Sequence, residues 1–150
     1  MITIIMKRLL LFTLLTVSLM HSAHAIVMHG RPLKIEVTKS KDGKLIFDVV
    51  NLKTLKTAKD TADWCWKLHE GSRGKADQYS NSVYIHFGDG VSKEEIQLAC
   101  DTFMMTKVYI LEIKSKVNGQ MKTYKHEPDL ENIMRLAGFD EEDLKKVRKK

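Results

Sequence analysis

The sequence predicts an α+β domain: a five-stranded antiparallel or mixed sheet in ββαβαββαα order, helices on one face, and one disulfide between the two longest helices. Three observations carry this reading. Apolar residues alternate at period two in some segments and recur at helical spacing in others. Two dipeptides suited to tight hairpins, Asp42-Gly43 and Asn118-Gly119, each separate a pair of strand-like runs. Those hairpins stand apart from the helical stretches, the segregation typical of α+β proteins. With 150 residues, 43% hydrophobic and 29% charged, the chain is sized for one domain with a real core. Only 2 Pro and 8 Gly exclude a low-complexity or collagenous chain.

The elements follow in order. Leu33 to Thr38 alternates apolar and polar, and after Asp42-Gly43 the run Lys44 to Val50 is apolar and β-branched, which predicts a first hairpin. Between Thr54 and Glu70 the period changes: Leu55, Ala58, Ala62, Cys65, Trp66 and His69 share one helical face, and Gly71 suits a helix end. Residues 71–81 are polar and rich in breakers, hence an exposed loop. Val83, Ile85 and Phe87 alternate with Tyr84 and His86 in a third strand closed by Gly88-Asp89-Gly90. Ser92-Lys93-Glu94-Glu95 is a capping box that opens a second helix striped by Ile96, Ala99, Cys100 and Phe103. Val108 to Val117 and Gln120 to Lys125 flank Asn118-Gly119 as the second hairpin. Pro128 fits the first turn of a third helix that runs through Leu130, Ile133, Met134 and Ala137 to Gly138. Asp140 caps a short last helix whose acids precede its bases, matching the helix dipole.

The N-terminus predicts export. Lys7-Arg8 precedes an apolar run from Leu9 to Met20, and Ala23-His24-Ala25 places small residues where a leader is cleaved. At about 12 residues the run is far below the ~20 needed to span a bilayer. Residues 1–25 therefore read as a cleaved signal peptide and residues 26–150 as one domain, periplasmic or secreted from a bacterium, without stable membrane insertion after cleavage. In that oxidising setting Cys65 and Cys100, the only thiols, are expected to pair. The bond would add roughly 3–4 kcal/mol by closing a loop of some three dozen residues. A reactive thiol is the alternative, since His69 lies one helical turn beyond Cys65 and stands ready to lower its pKa.

Charge points to surfaces. The formal charge of +6 becomes +4 once Lys7 and Arg8 leave with the leader. Residues 31–59 carry eight Lys/Arg against three acids, and residues 107–126 five against one, so the bases coincide with the strands. Alternation puts Lys34, Glu36, Tyr84 and His86 on the face away from the helices, and the last hairpin adds Lys114, Lys116, Lys122 and Tyr124. Aromatic rings beside cations suit an anionic envelope polymer or a protein partner. Nucleic acid is not expected in this compartment. Trp64 lies opposite the apolar stripe of its helix, and with Arg73, Lys75 and Tyr79 it forms a second candidate recognition edge.

Catalytic patterns are sparse. His29, His69, His86 and His126 are scattered, with no paired ligand spacing for a metal. There is no Gly-x-Ser-x-Gly elbow and no phosphate-binding loop, and Asp89, Glu94 and Glu95 would repel an anion from the turn at Gly88-Asp89-Gly90. No cofactor or metal is expected. The chain thus reads as a small exported binding module that works by surface recognition, such as an inhibitor, an immunity-type protein or an envelope adaptor, with another envelope or secreted protein or an anionic polymer as partner. The alternative is an envelope-polymer hydrolase using His86 and Asp89 as its acid–base pair.

Overall fold

The computed structural model describes residues 30–75 and 78–148, and the segment read on the sequence as a cleaved leader, residues 1–25, lies outside them. The described residues form six strands and four helices. In order they are β1 (Arg31–Lys39), β2 (Leu45–Val49), β3 (Lys53–Leu55), α1 (Ala58–Gly71), β4 (Tyr79–Phe87), α2 (Lys93–Met105), β5 (Tyr109–Val117), β6 (Gln120–Tyr124), α3 (Leu130–Leu136) and α4 (Glu141–Arg148). The sheet order is β3-β2-β1-β4-β5-β6. Strands β1, β4 and β5 are parallel neighbours and the other pairings are antiparallel, so the sheet is mixed.

The sixth strand corrects the predicted count of five. The chain reverses over Val50 to Leu52, where Asn51 takes φ of 61°, and residues 53–55 return to pair with β2. Asparagine tolerates this left-handed backbone better than most residues do. Because the strand is only three residues long, its Leu55 reads on the sequence as the first turn of the helix. That helix starts later, at Thr57, whose side chain accepts a hydrogen bond from the Asp60 amide. The capping box at Ser92 and Glu95 forms as the sequence predicts. Asn118 and Gly119, at φ of 50° and 79°, make the tight turn between β5 and β6. Gly30 is required where β1 begins: a Cβ there would lie 1.9 Å from the Gln78 carbonyl oxygen, which accepts the Arg31 amide at 2.7 Å.

Helix α1 lies over β4, β2 and β3, α2 lies beside it over β5, and α3 packs on the outer flank of α2. The core fills the space between helices and sheet with Leu33, Ile35, Val37, Phe47, Val83, Ile85 and Phe87 from below and Ala62, Ile96, Ala99 and Phe103 from above. Phe47 and Phe103 meet at a centroid distance of 6.5 Å.

The predicted disulfide is absent. Cys65 and Cys100 are free thiols, each wholly buried in this core. Adjacent helices run ~8–10 Å apart, and a disulfide needs its Cα atoms within ~7 Å and its Cβ bonds aimed at each other. The two apolar stripes aim at the sheet instead. Both thiols are buried, and burial pushes each up to about 12, which disfavours the thiolate that the reactive-thiol alternative needs.

Candidate functional site: a groove at the end of β6

The sheet face opposite the helices carries a charge mosaic. The ladder aligns Asp48, Glu36, His86, Lys114 and Thr123 in one row across five strands. Tyr84 is exposed on this face, next to Lys34 and Glu112. The bases here are engaged by acids: Lys34 meets Glu36 at 2.8 Å, Lys114 meets Glu112 at 3.1 Å, and Lys116 meets Asp89 at 3.8 Å. His86 faces Glu112 at 3.5 Å rather than Asp89. Lys114, with His86 adding to it, holds the Glu112 carboxyl below its ordinary pKa. An anionic polymer would have to displace these acids one by one.

Other sequence-derived candidates are distributed elsewhere. Register places Lys122 opposite Ser115 and Tyr124 opposite Ile113, so both lie on the helix side of the sheet and not on the mosaic. Trp64 packs half-buried against the core. Arg73 and Lys75 are exposed after α1. Tyr79 is engaged by Arg31, whose guanidinium lies 5.0 Å from the ring centre and donates to the phenol oxygen at 3.1 Å. The Tyr79 carbonyl also sits 3.2 Å from His69 Nδ1. The structure therefore brings Tyr84, His86, Lys114 and Lys116 together, and separates them from Trp64, Arg73, Lys75 and Tyr79.

A different feature offers more. β5 has nine residues, but β6 pairs only with its second half, Ile113 to Val117. Beyond Tyr124 the chain leaves the sheet, and a groove of about 470 Å³ opens beside the unpaired half of β5. Its walls include Met104 from the end of α2, Ile110, Leu111 and Glu112 from β5, and Tyr124 and His126. This volume lies within the ~300–1,000 Å³ usual for ligand sites. Met104, Tyr109 and Leu111 are 39%, 42% and 41% exposed, an apolar rim on an open strand edge.

A buried polar network explains why the chain departs here. Asp101, on the outer flank of α2, is 0% exposed. Its carboxyl oxygens accept hydrogen bonds from the Gln97 amide at 3.1 and 3.2 Å, from Asn132 Nδ2 at 2.8 Å and from the Asp129 backbone N–H at 3.3 Å. His126, with only 7% of its side chain exposed, brings Nε2 to 3.1 Å from Asp101 Oδ1, off the axis of a linear hydrogen bond. Gln97 also donates to the Glu127 carbonyl at 3.1 Å. Such a cluster is costly unless its members satisfy one another, so it fixes the path of residues 126–132 against α2. Drawn that way, the chain cannot continue alongside β5. Tyr124, at the groove wall, has its phenol pKa raised by burial and, secondarily, by Cys100 and Asp101.

Sequence reading passed over Asp101, Gln97, Asn132 and the groove. One signal was present: the ten residues before Asn118-Gly119 outnumber the six after it, leaving four unmatched. No group of three or more metal-ligating side chains occurs among the described residues, and no helix there is long and apolar enough to cross a membrane. No family model, curated protein or solved structure matches the chain.

Proposed function

We propose that the protein is a small exported binding module that grips a partner protein of the cell envelope or exterior in the groove beside β5. One observation carries this reading: the groove is preformed and apolar-rimmed, and the network that holds it open is structural, with Asp101 occupied by donors from three side chains and one backbone amide or closely approached by them. The neighbouring Cys100 thiol is buried, which pushes its pKa up to about 12 and favours the protonated form. The paired charges of the opposite face favour a protein over a polyanion as partner, because neutralised cations exert little pull at physiological salt. A hydrolytic role for His86 and Asp89 lacks such support, since each faces a different neighbour.

The test is site-specific photo-crosslinking in envelope extract. A crosslinking residue at position 111, in the groove, is compared with one at Leu52, on the turn between β2 and β3 at the opposite part of the sheet. A discrete adduct at 111 and none at 52 is expected. Equal labelling at both positions, or none at 111, would overturn the reading.

A further inference from the structure

Resting on that reading, we infer that the groove takes an extended segment of the partner, added to β5 as an antiparallel strand along Tyr109 to Glu112, with alternating apolar side chains and an acidic residue at the end beside Lys107. The first reason is where the groove lies. Ile110, Ile113 and Tyr124 reach it from the helix side of the sheet, while Glu112 and Thr123 belong to the opposite face. A cavity walled by both faces lies in the plane of the sheet, where the natural occupant is another strand.

The second reason is the backbone. On its β4 side, β5 is paired from Tyr109 onward, with Leu111 as the extra residue of a bulge between Ile110 and Glu112. On its other side pairing begins at Ile113, and no backbone hydrogen bond joins residues 109–112 to any other described residue there. Along these four residues, ~14 Å at 3.4 Å per residue, the backbone groups of alternate residues that point away from β4 are unpaired donors and acceptors. Continuing the line of β6 sets the direction of the added strand as antiparallel, entering past Tyr124 and leaving past Tyr109. The exposed apolar side chains at this edge are Tyr109 and Leu111, with Met104 across the groove, while Glu112, Lys125 and Pro128 also line the groove and leave the β5 backbone itself unpaired.

The third reason is charge. Glu112, the acid on the wall, is already matched by Lys114 and His86. Lys107, two residues before β5, is exposed and carries no ion pair among the described residues, so the far end of an added strand meets a positive charge. Alternate side chains of that strand would contact Met104 and Ile110 on one side of the sheet, as in other cases of strand addition, where backbone bonds give affinity and pockets give specificity.

The experiment uses the purified protein and a displayed library of random heptapeptides. Selected binders are resynthesised with N-methyl groups on alternate backbone nitrogens, in each of the two phases, and amide exchange of the protein is followed with and without peptide. Strand addition predicts slowed exchange within residues 109–112. It also predicts a ~10-fold or greater loss of affinity for the phase that faces β5 and a change under ~2-fold for the other, since one backbone bond is worth about a tenfold factor. Leu111→Asp should abolish binding with the melting temperature unchanged, and Lys107→Glu should weaken acid-ended binders roughly 3-fold. Peptides that bind in competition with the crosslink at 111 but show no phase dependence would refute strand addition and leave the groove reading standing. Failure to select any peptide that Leu111→Asp rejects would refute both. Dimerisation at micromolar concentration that Leu111→Asp abolishes would assign the edge to a second copy and overturn the proposal.

Discussion

Between β1 and β4 every residue from Leu33 to Val37 has a ladder partner, and the side chains beneath α1 and α2 are apolar. Between β5 and the chain that follows β6, half of the strand lacks a partner and the filling against α2 is Asp101 with its ring of amides and His126. The two regions share one sheet but are stabilised differently. Apolar burial is non-directional and tolerates small shifts, whereas a buried carboxyl must keep every donor in place. The polar region consequently fixes a shape, a splayed groove, that burial alone would tend to close.

Truncation should show the difference most plainly. Phe47→Ala removes a ring from the apolar half and should cost about 3–5 kcal/mol, read by denaturant unfolding. Native-state amide exchange should accelerate in all the sheet's protected strands, because that half sets global stability. Asp101→Ala should cost about 2 kcal/mol, since the half-buried Asn132 amide and the Asp129 N–H lose their acceptor while Gln97 keeps the Glu127 carbonyl. Its effect should be concentrated in residues 125–148 while the amides of β1 keep most of their protection. Uniform acceleration in both variants would mean that the two regions unfold as one unit and erase the distinction.

Acid should release the polar side further. Arg148 donates two hydrogen bonds to Glu131 at 2.6 Å each, tying α4 to α3 and lowering the Glu131 pKa from its ordinary 4.5. A lowered carboxyl contributes stability that is whole above about pH 4.5 and is lost as pH falls through its native value. As pH falls below about 4.5, residues of α4 should therefore gain amide exchange before β1 does, an order that Glu131→Gln should remove. Leu111→Asp, at the open edge, should change stability by less than about 0.5 kcal/mol while abolishing binding of the selected peptides, read by titration. Smallest of all is the effect of a reductant. With Cys65 and Cys100 free and pushed up to about 12, reducing agent should leave unfolding unchanged. Thiol reagent at pH 8 should titrate both sulfurs only after denaturation, without prior reduction. A reductant-dependent melting temperature would contradict the free thiols.

Local signals in the sequence determined most of the elements. The hairpin at Asn118-Gly119, the capping box at Ser92 and Glu95 and the alternation of Val83, Ile85 and Phe87 each depend on residues within about four positions, so they read correctly without the fold. Tertiary structure alone decided three things. It made residues 53–55 a strand because β2 lay beside them after the Asn51 turn, and a run that short has no period of its own. It kept Cys65 and Cys100 apart, because an inward stripe says that a side chain is buried and not which way it leans across a helix pair. And it opened the groove. The four-residue excess of β5 over β6 is visible on the chain, but the departure of residues 125–128 depends on Asp101 reaching partners 28 and 31 residues away, a contact that no local pattern encodes.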